Sequence, residues 1–252
     1  MKQLTEYRTE TKAGSVGDTM LTTPLIQLKS VSKSFILHNV NKKVSGCQNI
    51  SFAVEKGHFV GITGKSGSGK STILRCIYRT NLPQAGQILY QSPLFGSVDL
   101  AQLDERRICQ IRQYEIGYVS QFLQTLPRIT AYDIVYRSAL EANDTEKNAH
   151  NETKRILNHF EIKEELWPLF PNTFSGGEKL RLNIAKAMVK RPNLLLLDEP
   201  TASLDQHSKE KVRELIEQLK ISGTTMIGIF HDLEFMEGLC DQEFNIQEGS
   251  FI

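Results

Sequence analysis

One stretch of the chain has the residue types and spacing that a phosphate-binding loop requires. Gly64-Lys65-Ser66-Gly67-Ser68-Gly69-Lys70-Ser71 matches the pattern G-x-x-x-x-G-K-[ST]. Its glycines let backbone N–H groups close around phosphate oxygens, because a Cβ atom would block that approach. Lys70 can supply charge to the β- and γ-phosphates, and the Ser71 hydroxyl can ligate Mg²⁺. An apolar stretch precedes the loop and a helical one follows it, so we predict a nucleotide site rather than an ordinary glycine-rich turn.

A second stretch places two carboxylates at the end of an apolar run, Leu194-Leu195-Leu196-Leu197-Asp198-Glu199. Asp198 can hold Mg²⁺ through water opposite the phosphate loop, and Glu199 suits a general base that activates an attacking water. Taken alone, the pattern is typical of any buried strand that runs into an exposed turn. Together with the loop, it predicts the second half of a nucleotide-hydrolysing site.

A third stretch, Phe174-Ser175-Gly176-Gly177-Glu178, comes before a predicted helix and lies between the other two motifs. Glycines at a helix start expose backbone N–H groups to a γ-phosphate, and Ser175 adds a hydroxyl donor. By itself the stretch would be read as a capped turn. Its position between a phosphate loop and an Asp-Glu strand instead resembles the signature motif of the ATP-binding-cassette (ABC) ATPases, usually written L-S-G-G-Q.

This resemblance implies roles for four further residues. Gln121 matches the glutamine that senses Mg²⁺ or the water and opens the helical subdomain, and His231 matches the switch histidine that contacts the γ-phosphate. Asp205 falls in the loop that crosses the dimer interface. Phe35 sits where the family places an aromatic ring against adenine, although a core phenylalanine is the alternative there. For Gln121 and His231 the alternative is a surface polar residue at a strand end.

The full set of expected site residues follows from the motifs and the resemblance, with ATP and Mg²⁺ as cofactors. The expected catalytic residues are Glu199, His231 and Gln121; the nucleotide-binding residues are Phe35, Gly64, Lys65, Ser66, Gly67, Ser68, Gly69, Lys70, Ser71, Thr72, Ser175, Gly176, Gly177, Glu178 and Asp205; the metal-binding residues are Ser71, Gln121 and Asp198.

The signature departs from the family pattern at both ends. Phe174 stands in place of Leu and keeps an apolar anchor, and Glu178 stands in place of Gln. Glu178 brings a negative charge toward the nucleotide interface. We expect that charge to weaken nucleotide binding unless the side chain points away or pairs with Lys179 or Arg181.

In the ABC family the phosphate loop of one subunit faces the signature motif of another, with ATP between them. One copy of each motif is present in this chain. The resemblance therefore implies a head-to-tail partner, either a second copy of the chain or a related ABC subunit.

The elements that must position these motifs alternate between strand and helix. Strand patterns include Phe59–Ile62, Ile116–Val119, Leu194–Leu197 and Thr225–Phe230, and helices are predicted from about 178 to 189 and from 206 to 221. This order predicts a mostly parallel sheet covered on both faces. The resemblance implies an α/β P-loop NTPase, specifically an ABC nucleotide-binding domain with a RecA-like core and an N-terminal antiparallel β subdomain. We place this domain at 25–252, an inserted helical subdomain at about 122–174, and a disordered tail at 1–24.

Composition excludes several other classes of protein. The chain has 252 residues, 30 Lys+Arg against 29 Asp+Glu, and four well-separated cysteines. A formal net charge of +1 provides no global argument for nucleic-acid binding, and the cysteine spacing indicates neither a disulfide framework nor a zinc site. No apolar run approaches the ~18–20 residues that cross a bilayer. We expect a cytoplasmic protein that binds no nucleic acid and does not insert into the membrane.

Longer stretches resemble one branch of the family, the PhnL-type ATP-binding subunits of the bacterial phosphonate carbon–phosphorus (C–P) lyase system. These stretches are Val31–His38, Tyr118–Leu123 with Pro127-Arg128-Ile129, Leu166–Glu178 and Gly228–Asp232. The resemblance implies an accessory ATPase of a soluble C–P lyase core complex. That system forms ribose 1-phosphonate 5-triphosphate from ATP and a phosphonate. The alternatives are the nucleotide-binding subunit of a membrane transporter and a scaffold that binds nucleotide with little turnover.

Overall fold

The computed structural model describes residues 23–37, 42–121, 123, 128–142, 145–202, 204–230 and 232–251. The predicted tail at 1–24 therefore lies outside the described residues except for its last two positions. The strands are β1 (Ile26–Leu37), β2 (Lys42–Val54), β3 (Phe59–Thr63), β4 (Ala85–Ser92), β5 (Gly96–Asp99), β6 (Ile116–Val119), β7 (Leu194–Asp198), β8 (Thr225–Ile229), β9 (Gln242–Asn245) and β10 (Ser250–Phe251).

Seven α-helices lie within the described residues: α1 (Lys70–Ile77), α2 (Glu105–Tyr114), α3 (Ala131–Ala142), α4 (Glu146–His159), α5 (Gly176–Met188), α6 (Gln206–Ile221) and α7 (Leu233–Met236). Two short 3-10 helices, Glu164–Leu166 and Pro171–Thr173, connect α4 to α5. The predicted bounds of α6 are confirmed. The helix predicted from 178 begins two residues earlier, because Ser175 and Glu178 form a capping box at its start.

The strands form two sheets. An antiparallel sheet has the order β2-β1-β4-β5, and a six-stranded sheet has the order β10-β9-β3-β8-β7-β6. In the larger sheet all neighbouring pairs are parallel except the short β10, which pairs antiparallel with β9. The predicted α/β class is therefore confirmed, with the predicted N-terminal antiparallel sheet beside a mainly parallel core.

The parallel sheet is covered on both faces, which explains its uninterrupted apolar strands. Every residue of β3, β7 and β8 is buried. Because strand side chains alternate, Leu195 and Leu197 enter one apolar cluster with α5 and α6, whereas Leu194 and Leu196 enter another with α1 and the antiparallel sheet. The four leucines thus hold Asp198 at the end of a strand that is packed from both sides.

We expect Leu196→Ala to lower the free energy of unfolding by about 3 kcal/mol, because it removes a fully buried side chain and leaves a cavity under β7. Ile221→Ala is the matched control, since Ile221 is 86% exposed, and it should change stability by less than about 0.5 kcal/mol. Urea denaturation followed by circular dichroism measures both. Equal midpoints for the two variants would contradict the assignment of Leu196 to the core.

Candidate nucleotide site

The predicted phosphate loop joins β3 to α1 and closes around the side chain of Lys70. The Lys70 ammonium donates hydrogen bonds to the backbone carbonyls of Gly64, at 2.7 Å, and Lys65, at 3.1 Å. Burial lowers the pKa of Lys70, and the nearby Glu199 carboxylate opposes that shift. The loop therefore holds a largely buried cation at the N-terminus of a helix.

Two glycines are required by the shape of this loop. Gly69 has φ +96°, and a Cβ built on it would lie 1.5 Å from the carbonyl oxygen of Gly46. Gly64 has φ +137°, and its Cβ would lie 2.5 Å from Cγ2 of Ile246. Any other residue at these positions would clash and would also occupy an unfavourable left-handed conformation. The pattern of glycines is thus explained by close packing as well as by access to a ligand.

The loop has the features of an anion site. The first turn of α1 contains no acidic residue, so the partial positive charge at its N-terminus is not compensated within the helix. The Ser68 hydroxyl is buried and makes no hydrogen bond within the described part of the chain. A phosphate oxygen would satisfy such a donor, together with the backbone N–H groups of the loop.

Residues from four parts of the chain line one cavity of about 280 Å³ over this loop. They are Phe35 of β1, Ser45 and Gly46 of β2, Glu199, and the loop residues Ser66, Gly67 and Gly69 to Thr72. The Phe35 ring is 37% exposed, which is unlike a core phenylalanine. Its edge rests close to the position that a Gly46 side chain would take. An exposed aromatic wall beside a phosphate loop is suited to stacking against a nucleobase.

A second cavity of about 690 Å³ brings together the predicted metal-binding residues Ser71, Gln121 and Asp198. Asp198 is 5% exposed, and its Oδ2 accepts a hydrogen bond of 2.6 Å from the Tyr118 hydroxyl. The described residues contain no cluster of three or more His, Cys, Asp or Glu. One carboxylate, a hydroxyl and an amide fit Mg²⁺, which keeps several waters and completes its shell with substrate phosphates.

Glu199 directly follows β7 and reaches the space over the phosphate loop. Its backbone has φ +52°, and its N–H donates to the Ile229 carbonyl at 3.1 Å. This left-handed conformation is uncommon outside glycine and stores strain, and such strain clusters at functional sites. Glu199 lines the cavity of the phosphate loop and also a neighbouring one that contains Asp232.

The signature segment begins α5 and uses its own glutamate as a cap. Glu178 Oε2 accepts hydrogen bonds from the backbone N–H and the hydroxyl of Ser175, both at 2.8 Å, and Ser175 Oγ accepts from the Glu178 N–H at 3.3 Å. The Glu178 carboxylate is thus turned toward Ser175. The hydrogen bonds with Ser175 lower the pKa of this carboxylate, and the positive charge of Arg181 lowers it as well. Glu178 thus caps the helix through Ser175, and at this helix start Gly176 is exposed whereas Gly177 is buried.

The signature segment does not share a cavity with the phosphate loop. None of residues 175–178 is among the described residues that line the cavity over Lys70. Asp205 caps α6 by accepting from the Ser208 N–H at 2.9 Å, and Gly177 lies close to Ser208, where a Cβ would approach its Oγ to 3.1 Å. Ser208 thus links Gly177 at the start of α5 to Asp205 at the start of α6.

The structure groups most of the predicted site residues, and it reveals others that the motifs did not include. His231 lies outside the described residues, so its role stays a prediction. Tyr118 contacts Asp198, and Asn183 of α5 donates to the Ser120 carbonyl at 3.0 Å. Tyr118 stood in the stretch before Gln121, but no sequence pattern relates its hydroxyl to a carboxylate 80 residues away. Asn183 sits inside an ordinary helical repeat and carries no sequence signal.

A parallel sheet with a glycine-rich loop after one strand and a carboxylate pair after another defines a P-loop nucleotide-binding protein. The model for the ABC transporter family matches residues 47–202. The chain belongs to this family of ATP-binding proteins.

Individual relatives agree with this assignment. The lipoprotein-releasing system ATP-binding protein LolD of Legionella pneumophila is 34% identical over 84% of this chain and 91% of its own length. The methionine import ATP-binding protein MetN of Haemophilus influenzae is 29% identical over 90% of this chain, which spans 64% of that protein. The dimeric structure of the ATP-binding cassette MJ0796 with ADP and phosphate matches with a TM-score of 0.79 at 27% identity, over 89% of this chain and 95% of that one. These names point to transport and give no support to the phosphonate-system resemblance.

The capping box predicts a pH-dependent contribution of Glu178 to stability. The hydrogen bond from the Ser175 N–H lowers the pKa of Glu178, so its contribution is present above the unfolded-state pKa and is lost as pH falls through the folded-state pKa. We expect Glu178→Ala to be less stable than the wild type by up to about 1 kcal/mol near neutral pH. This difference should shrink as the pH is lowered to about 3.

Thermal denaturation across that pH range measures the effect. Glu178→Gln is the matched control, because glutamine accepts the same hydrogen bond without a titrating charge. A difference between wild type and Glu178→Ala that stays constant with pH would contradict a charged cap.

Proposed function

We propose that this chain binds ATP with Mg²⁺ and hydrolyses it at a composite site formed head-to-tail with a second cassette. The observation that carries this proposal is the placement of Lys70, Glu199 and Phe35 around one cavity over a glycine loop. A cation, a carboxylate and an aromatic wall at a helix N-terminus match the triphosphate, the attacking water and the base of ATP. Gly64 to Thr72 bind the phosphates, and Phe35 stacks against adenine.

Glu199 acts as the general base in this proposal. It takes a proton from a water whose oxygen bonds to the γ-phosphorus, while the bond from that phosphorus to the bridging oxygen breaks and ADP leaves. Ser71, Asp198 and Gln121 would hold Mg²⁺, which supplies charge neutralisation at the phosphate oxygens. Lys70 contributes a second positive charge from the buried loop.

The second half of the site comes from a partner cassette. Ser175, Gly176 and Gly177 lie at the start of α5, outside the cavity over the chain's own phosphate loop, and Asp205 caps the start of α6. The similar cassette MJ0796 is dimeric in its ADP- and phosphate-bound structure. A second copy of this chain, or a related subunit, supplies the missing half, and Glu178 shapes it by holding Ser175.

Glu199→Gln should reduce turnover by at least about 100-fold and preserve ATP binding, because it removes the base while leaving the phosphate loop intact. It should also accumulate an ATP-bound dimer. Lys70→Ala is the contrasting variant and should lose nucleotide affinity itself. Phosphate release, nucleotide titration and size-exclusion chromatography with light scattering measure these effects. Fast hydrolysis by Glu199→Gln would exclude Glu199 as the base.

We further propose that the hydrolysis cycle drives membrane-embedded subunits of a transporter. LolD and MetN, which resemble this chain over most of its length, are named for lipoprotein release and methionine import. No helix within the described residues is long and apolar enough to cross a membrane. Gln121 borders the 690 Å³ cavity that opens between α1 and α5, which gives a partner a surface next to the site.

The second candidate is the accessory ATPase of the phosphonate C–P lyase system. It rests on the residues that resemble that branch, above all Tyr118–Leu123 and Gly228–Asp232. In these stretches Ser120 and Gln121 directly follow β6, and Phe230 directly follows β8. The same ATP cycle would serve either partner. The two candidates differ in what binds the chain and agree on its chemistry.

Affinity capture of the tagged chain from phosphate-starved cells distinguishes the two partners. We expect membrane permease subunits to co-purify with the chain. Their yield should differ between Glu199→Gln in the presence of ATP and Lys70→Ala, because only Glu199→Gln can hold the closed dimer. Recovery of soluble phosphonate-processing enzymes in their place would overturn the transporter proposal and favour the second candidate. Mass spectrometry of detergent-solubilised and soluble fractions provides the measurement.

A further inference from the structure

The end of β6 is attached at two points, and each attachment leads to a different part of the proposed ATP site. The Tyr118 hydroxyl donates to Asp198 Oδ2 at 2.6 Å, and the Asn183 amide donates to the Ser120 carbonyl at 3.0 Å. Ser120 directly precedes Gln121. The segment that carries Gln121 is thus joined both to the metal-binding carboxylate and to the helix that begins at the signature segment.

The first attachment restricts the Asp198 carboxylate. A distance of 2.6 Å is that of a strong hydrogen bond from a hydroxyl to an ionised carboxylate. It engages Oδ2, and Asp198 lines the cavity shared with Ser71 and Gln121.

Tyr118 is itself held firmly. The Tyr118 ring packs against the Tyr78 ring with centroids 4.9 Å apart, and the Arg112 guanidinium lies over the Tyr78 ring, 5.1 Å from its centroid. Arg112 also donates hydrogen bonds to the Tyr78 carbonyl at 2.7 Å and the Arg79 carbonyl at 2.6 Å. The hydroxyl therefore has a fixed position from which to orient a carboxylate, as groups that support metal ligands do.

The second attachment runs through a helix. Asn183 is buried on α5, which starts at Gly176 next to Ser175. Because a helix moves as a rigid element, a displacement of the signature segment is passed to Ser120 through this hydrogen bond. In the proposed sandwich, Ser175 faces the nucleotide of the partner cassette while Gln121 faces the nucleotide of its own chain.

We propose that Tyr118 and Asn183 are positioning residues: Tyr118 orients Asp198 for Mg²⁺, and Asn183 makes Gln121 follow the signature helix. This inference rests on the proposed ATP site and adds to it a physical connection between the two sites of a dimer. Neither residue needs to touch nucleotide. Tyr118 affects metal affinity, and Asn183 affects the coupling between the two sites. A purely structural role would not change these two properties selectively.

Tyr118→Phe tests the first attachment by deleting only the hydroxyl. With Mn²⁺ as a probe in the presence of ADP, we expect the half-saturating metal concentration to rise by about 10- to 100-fold, while ADP binding in the presence of a chelator stays unchanged. Tyr90→Phe is the matched control, since Tyr90 is a fully buried tyrosine in β4 of the other sheet. Equal metal affinity in the two variants would overturn the role of Tyr118.

Asn183→Ala tests the second attachment, with Thr153→Val as a control that removes a buried hydroxyl bonded only within α4. In the nucleotide-free protein, hydrogen exchange of 116–121 should become faster in Asn183→Ala than in the control. With ATP, the Hill coefficient of hydrolysis should fall toward one. Unchanged exchange and unchanged cooperativity would overturn the role of Asn183.

The wild type separates failure of this inference from failure of the proposed function. If wild-type protein binds Mn²⁺ with ADP but both variants behave like their controls, only the positioning roles are wrong. If the wild type shows no metal-dependent nucleotide binding, the proposed ATP site itself is wrong and this inference is overturned with it. Hydrogen exchange in the absence of nucleotide tests the attachment of Ser120 to α5 under either outcome.

Discussion

The parallel pairing of β8 with both β3 and β7 is the constraint on which the rest of the site depends. Val60 and Leu195 are held in register through Ile227 and Met226 of the strand between them. Parallel strands share a carboxyl edge, so the loop after β3 and the carboxylates after β7 emerge on the same side. The energy that holds them there comes from the apolar clusters on both faces of the sheet, since every residue of these three strands is buried.

The polar groups at that edge are stabilised by one another and by backbone carbonyls. The Lys70 ammonium donates hydrogen bonds to the carbonyls of Gly64 and Lys65, and the Asp198 carboxylate accepts one from the Tyr118 hydroxyl. Burying such charges without partners would be costly. The structure therefore places a hydrogen-bonded lysine and a hydrogen-bonded carboxylate at the same edge of the sheet.

The signature segment illustrates how a local interaction can change the meaning of a substitution. Glu178 in place of glutamine suggested a charge facing the nucleotide, yet its carboxylate closes a capping box with Ser175. The same atoms that would disfavour phosphate stabilise the start of α5, where Gly176 and Gly177 lie. The residue that departs from the family pattern thus forms its hydrogen bonds within the first turn of its own helix.

The α/β class, the phosphate loop, the Asp198–Glu199 pair and the family could all be predicted from the sequence, because these depend on local residue types and short spacings. In the structure Phe35 lines the cavity over the loop, and its contact with adenine stays a prediction. The contacts of Tyr118 with Asp198 and of Asn183 with Ser120 became visible only in the folded structure. These depend on strand register and helix packing across 63 to 80 residues of chain, and single residues carry no sequence pattern over such distances.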